Sequence, residues 1–201
     1  MANPLYTEDT PKEISSADGL RLLTQNSPNG QATQILLEEL ADAYRTSHDT
    51  TLSPPFPIFE TSAQLLYLLQ FYDKENRFRF TDEFEKSEAL QWLFFWHSSD
   101  SPYQSQVHFF KDSTQKTEYV INRSRNETLK VFGVLESQLS GIHRDGEPKD
   151  YIIGKGKGKY SHLTGFTDEE MSKFPHLLKW IDRIAAREAV RRGTGDKYTT
   201  K

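Results

Sequence analysis

Phe59-Glu60-Thr61-Ser62-Ala63-Gln64-Leu65-Leu66-Tyr67-Leu68, running on to Tyr72-Asp73-Lys74, is the stretch on which the reading of this chain turns. The preceding Ser53-Pro54-Pro55-Phe56-Pro57 cannot be helical, because proline lacks the amide a helix needs. Ile58-Phe59 then reads as a short strand. Thr61 opens an apolar run that predicts a helix to Tyr72, with Leu65, Leu66 and Leu69 on one face. An acid followed by threonine at such a junction has an ordinary meaning, a strand end and a helix N-cap. It is also an anion site, since the first amides of a helix point outward without partners.

Upstream, Ser27-Pro28-Asn29-Gly30 is turn chemistry. A helix follows, with Ile35, Leu36 and Leu40 at helical spacing and Glu38 and Glu39 on the other side. Leu20, Leu22 and Leu23 mark a strand within Gly19 to Thr24, and Tyr44 to Asp49 a second one. Downstream, Thr81 to Phe110 is one long helical pattern interrupted near Ser98 to Pro102. Thr114 to Leu139 is another, with Ile121, Thr128, Phe132, Leu135 and Leu139 on one face. Gly141 to Gly165 is a loop rich in glycine and lysine, Thr167 with Glu170 makes a capping box, and Phe174 to Arg187 carries Leu177, Leu178, Ile181 and Ile184 as an apolar stripe. From Arg191 the tail reads as frayed. The organisation is thus a flexible arm (1–18), a short mixed β/α half (19–73), an all-helical domain (81–192) and a flexible tail (193–201).

With 201 residues the chain can bury a real core, and 35% hydrophobic residues with a mean hydropathy of -0.72 make it polar without a disordered composition. A net charge of -4 and a pI near 5.9 argue against a general nucleic-acid or anionic-membrane binder. Cysteine is absent, which excludes disulfides, thiol catalysis by the protein and cysteine-held zinc. Any thiol must therefore come from a small molecule. The six histidines form no helical metal pair, so no metal is expected. The polar first residues hold no secretory signal and no stretch reaches membrane-span length, so a cytoplasmic protein is expected. Gly154-Lys155-Gly156-Lys157-Gly158-Lys159 lacks phosphate-loop spacing and reads as a solvated loop.

The Phe59–Lys74 block, together with Ser27-Pro28-Asn29-Gly30 and Ile35-Leu36-Leu37-Glu38-Glu39-Leu40, resembles the glutathione-binding half of glutathione transferases, in the fungal subtype related to Ure2. The helical half agrees in Gln91-Trp92-Leu93-Phe94-Phe95, Arg123 with Glu127, and Phe174-Pro175-His176-Leu177 with Trp180 and Arg183. The resemblance covers about Gly19 to Arg192. It implies a shortened thioredoxin-like half plus an all-helical domain, glutathione as co-substrate and a small hydrophobic electrophile as partner; a homodimer is expected because the first half is too small to close its own sheet and the aromatic-rich helix from Thr81 offers apolar surface beyond what one core needs. Glu60 would take the glutathione ammonium, Thr61 its α-carboxylate, and Asn29 the sulfur, with Ser27 in reserve. Trp96, His97, Tyr103 and His108, flanking the helix interruption in an aromatic-rich stretch, would line the electrophile pocket.

Two departures stand beside this. Between Tyr44 and Pro57 the family has a further helix and a cis-proline loop, and here only a dozen residues remain. Between Ile153 and Phe174 alternating glycine and lysine replace the usual capping box of a buried helix. The implied activity is addition of glutathione to a hydrophobic electrophile, or its use in isomerising one, as in fungal secondary-metabolite biosynthesis. A non-catalytic binding or regulatory protein on the same fold is the rival reading, and a poorly folding truncated product the third.

Overall fold

A computed structural model describes residues 20, 22, 27–40, 58–114, 117–143, 146–153 and 166–195, apart from the side chains at 111 and 112. The chain divides into two compact units, residues 1–77 with 192–201, and residues 78–191.

In the first unit, helix α1 runs Pro28–Glu39. The Ser27-Pro28-Asn29-Gly30 segment, read above as a turn, is already the helix start. Ser27 is the N-cap, its hydroxyl accepting from the Gly30 amide at 3.3 Å, and Pro28 takes the first helical position, where a missing N–H costs nothing. Leu36 and Leu40 are buried as their spacing predicts. Glu38, expected on the outer side, is buried instead and accepts from Arg192 Nε at 2.9 Å. The next residue, Gly193, lies so close that a Cβ there would sit 2.8 Å from Ile35 Cα. The beginning of the tail, expected to fray, is therefore seated on α1.

Helix α2, Thr61–Phe71, packs against α1. Its inward residues are Ser62, Leu65 and Leu68; Leu66, assigned above to the buried face, is exposed. The buried line follows three-residue steps from Ser62, which turns Leu66 outward. Asp73, itself buried, accepts the Arg77 amide at 2.8 Å, and Arg77 Nη1 reaches the Glu39 carbonyl at 3.2 Å, a cation at a helix C-terminus. Ile58 and Phe59, read as a strand, form no ladder, and no strand occurs among the described residues beyond a single bridge residue, Ile153. Tyr44 to Asp49 and most of Gly19 to Thr24 lie outside the described residues, as do Pro54, Pro55 and Pro57.

In the second unit, α3 (Glu83–Phe95) is capped by Asp82, whose carboxylate accepts from the Phe84 and Glu85 amides at 3.0 Å each. The interruption expected near Ser98 to Pro102 is not a break. Trp96–Asp100 forms a π-helical turn, the Ser101 amide bonding to the Trp96 carbonyl, and α4 continues as Ser101–Asp112. The wider turn absorbs the register that Pro102, with no amide to give, would otherwise disrupt.

Helix α5, Glu118–Ser140, is central: α4, α7 (Pro175–Ala185) and the π turn all pack on it. It ends at Gly141, φ 72°, where a Cβ would lie 2.1 Å from the Glu147 carbonyl oxygen, so only glycine fits. From α5 the Glu136 carboxylate accepts the amides of His176 and Leu177 at 2.9 and 2.8 Å and the His176 ring nitrogen at 2.5 Å. It thereby caps α7, whose own N-cap residue, Phe174, has no side-chain acceptor. In α7 the buried residues are Leu177, Trp180 and Ile184; Leu178 and Ile181, expected beside them, are only half-buried. The Thr167–Glu170 capping box is present at α6, Asp168–Met171. The amide of Thr167, then Arg125, which forms a two-pronged pair with Glu170, lower the Glu170 carboxyl to about 2. The last helix, α8, is Glu188–Gly193, its final two residues belonging to the first unit. Among the described residues no helix is long and apolar enough to cross a membrane.

Candidate functional site

In the first unit the relevant residues gather at two helix starts. Glu60 precedes α2 with φ 68° and ψ 122°, a left-handed backbone on a residue with a Cβ, and its side chain makes no capping bond to the helix. Thr61, read above as the N-cap, is instead the first helical residue. The outward amides of α2 carry partial positive charge, and no acidic residue lies in its first turn to offset them. An anionic group is favoured there, and Glu60 adds a carboxylate beside it for a cation. The pair suits a zwitterion such as an α-amino acid end.

Asn29 is the second residue of α1 and exposed, while Ser27, half-buried, has its hydroxyl engaged by the helix it caps. What relates the two helix starts is Gln64, a polar residue inside the apolar run. Its oxygen accepts from Thr33 Oγ1 at 3.0 Å and its nitrogen donates to the Ile58 carbonyl at 3.1 Å. Thr33 is one turn beyond Asn29 and Gln64 one turn beyond Glu60, so a single side chain joins the two helices close to both starts. The sequence reading passed over Thr33 and Gln64. The signal was present in Gln64, an amide among Ala63, Leu65 and Leu66.

The second unit holds a cavity of about 190 Å³ between α3, the π turn, α5 and α7. Of the expected pocket residues only Trp96 lines it. The His97 ring lies against Trp96, centroids 6.4 Å apart. Tyr119, and after it Tyr103, lie beside the exposed Arg123 and raise the arginine's already high pKa. His108 is exposed on α4. Trp180, named above for the family resemblance but not as a pocket residue, also lines the cavity; Asp100 is the one ionisable side chain in the wall. Among the described residues no group of three or more His, Asp or Glu could hold a metal.

No protein-family model matches the chain. A glutathione S-transferase-like protein of Aspergillus fumigatus, tpcF, is 30% identical over 192 residues, spanning 86% of this chain and 77% of that one. The chain belongs to the glutathione transferase family. Solved structures share its fold. A Burkholderia graminis glutathione transferase with two glutathione molecules bound per subunit superposes with a TM-score of 0.73 at 23% identity, covering 92% of each chain. The glutathione transferase URE2P6 of Phanerochaete chrysosporium, in complex with oxidized glutathione, gives 0.68 at 23%, covering 84% of this chain and 91% of that one. For this glutathione transferase homologue, those likenesses carry the fold, and its own residues must carry the chemistry.

Proposed function

We propose that this chain binds glutathione in its first unit and uses it on a hydrophobic electrophile. The observation that carries the reading is the left-handed Glu60 at the start of α2. Glu60 takes the glutathione ammonium, while the Thr61 hydroxyl and the first amides of α2 take the α-carboxylate. Asn29, with its side-chain NH2 and the positive end of α1, holds the sulfur as thiolate, with Ser27 as the reserve donor. A free thiol titrates near 8.5, so a donor that favours the anion raises the reactive fraction at neutral pH.

The thiolate electron pair forms a C–S bond to the electrophilic carbon. In an addition, the displaced π electrons take a proton from solvent. In an isomerisation, rotation about the former double bond precedes expulsion of the thiolate, which returns glutathione unchanged. Trp96, His97, Tyr103 and His108 remain the proposed contacts for the electrophile, around a π turn of a kind frequent at functional sites. A role in fungal secondary metabolism fits this chemistry.

The second reading is a glutathione-binding protein without turnover. The short Tyr44–Pro57 stretch favours it, since losing the cis-proline loop's two hydrogen bonds removes about 1–3 kcal/mol of binding. Turnover with glutathione and an activated aryl halide or enone decides between them. Asn29→Ala should slow turnover by about a hundredfold or more, the effect of losing one such donor in a transition state, with little change in glutathione affinity. A variant with full turnover moves thiol activation elsewhere, to Ser27 first.

A further inference from the structure

Asn29 is followed by Gly30, and no other asparagine of the chain precedes glycine. An asparagine side-chain carbonyl is open to attack by the backbone nitrogen of the next residue, and glycine has no Cβ to obstruct the approach. Asn29 is exposed and sits in the first turn of α1, where a helix opens most readily. Two bonds to Ser27 hold that turn closed. Its hydroxyl accepts from the Gly30 amide at 3.3 Å, and its carbonyl from the Gln31 amide at 2.8 Å. The first of these occupies the nitrogen that would attack. One turn further on, the Thr33–Gln64 bond at 3.0 Å ties α1 to α2, so opening is held to the residues before it. Asn122 and Asn126 lie inside α5, and Asn76 precedes Arg77, whose side chain hinders the approach.

We propose that Asn29–Gly30 is a site of spontaneous deamidation, gated by the Ser27 cap. When the first turn opens, the deprotonated Gly30 nitrogen attacks the Asn29 side-chain carbonyl carbon. A C–N bond forms, the bond to the side-chain nitrogen breaks, and ammonia leaves with a proton from solvent. Water then opens the five-membered imide at either carbonyl, leaving aspartate or isoaspartate at position 29. The start of α1 favours the new charge, so the aspartate form keeps the fold. Either product lacks the side-chain N–H donor and puts an anion where the thiolate is proposed to sit. Conversion therefore switches the site off. That consequence rests on the proposed thiol role of Asn29, whereas the modification itself does not.

Peptide mass spectrometry of the full chain, held folded in mildly alkaline buffer, tests this, since replacing NH2 by OH shifts the mass of one fragment. Conversion at Asn29 is expected to outrun that at Asn76, Asn122 and Asn126. It should run at least about tenfold faster in the same chain unfolded by urea, where no closed turn protects it. Ser27→Ala should speed conversion of the folded chain about fivefold, the change in open population that loss of one helix cap brings. Ser27→Thr, which keeps a hydroxyl, should restore the native rate. Gly30→Ala should slow conversion about tenfold or more, because a Cβ crowds the attack and alanine favours the helix; it serves if Ser27→Ala folds poorly. No conversion at Asn29, a rate no higher than at the other asparagines, or equal rates in the native chain and Ser27→Ala would overturn the proposal. Turnover with glutathione, followed as conversion proceeds, reads the other claim. Activity that survives full conversion removes Asn29 as the thiol donor and leaves the modification standing.

Discussion

Glu60 holds a backbone conformation that glycine adopts freely and a side chain resists. Such strain costs on the order of 1–3 kcal/mol and persists where the surroundings hold the residue in place. Glu60→Gly should therefore raise the free energy of unfolding by about 1 kcal/mol, while glutathione affinity falls at least about tenfold for want of the carboxylate. Urea unfolding and calorimetry on one preparation read both effects. A variant that is less stable would show that the carboxylate holds the turn rather than the ligand. The proposed site could be drawn from sequence because its residues adjoin: acid, hydroxyl, then an apolar run. The Glu38–Arg192 pair could not, because its partners stand 154 residues apart and Glu38 reads by spacing as an outer residue.

Local chemistry carries further at the scale of elements. Thr167 and Glu170 announce a capping box by their spacing, and the box is there. Its glutamate also engages Arg125 from α5, which no local pattern reveals. Because the folded carboxyl titrates at about 2 rather than 4.5, its contribution is fully present above the higher value and is lost as pH falls towards the lower one. Acidification from about pH 4.5 to about 2 should thus lower the urea midpoint of the native chain more steeply than that of Glu170→Gln, which keeps an N3 capping group but does not titrate. Parallel slopes would place the acid sensitivity in other groups. The π turn marks the opposite limit. Pro102 suggested a broken helix, yet the π turn Trp96–Asp100, packed on α5, carries the chain helical through it.

For the whole molecule, the family and a mostly helical architecture were readable from the sequence and are shown by the likenesses, whereas the strands expected in the first half lie largely outside the described residues. The inner packing was less readable, because Trp180 rather than Leu178 or Ile181 turns inward, and the turn of α7 on α5 decides that. Helix α3 buries none of its residues, and Phe84 (88% exposed) and Phe94 (56% exposed) stand on one broad side of it with Leu90. Apolar surface of this kind marks an interface. We expect a homodimer in sedimentation at micromolar concentration, shifted to monomer by Phe84→Asp with Phe94→Asp; a monomeric native chain contradicts this.

The central claim is that Glu60 and Thr61 anchor glutathione. Calorimetric titration of the full chain with glutathione, beside Glu60→Ala, tests it most directly. The account predicts saturable binding in the native chain and an affinity at least about tenfold lower in the variant, whose ligand ammonium is left unpaired. Equal affinity in the two proteins, or no saturable heat in either, contradicts it.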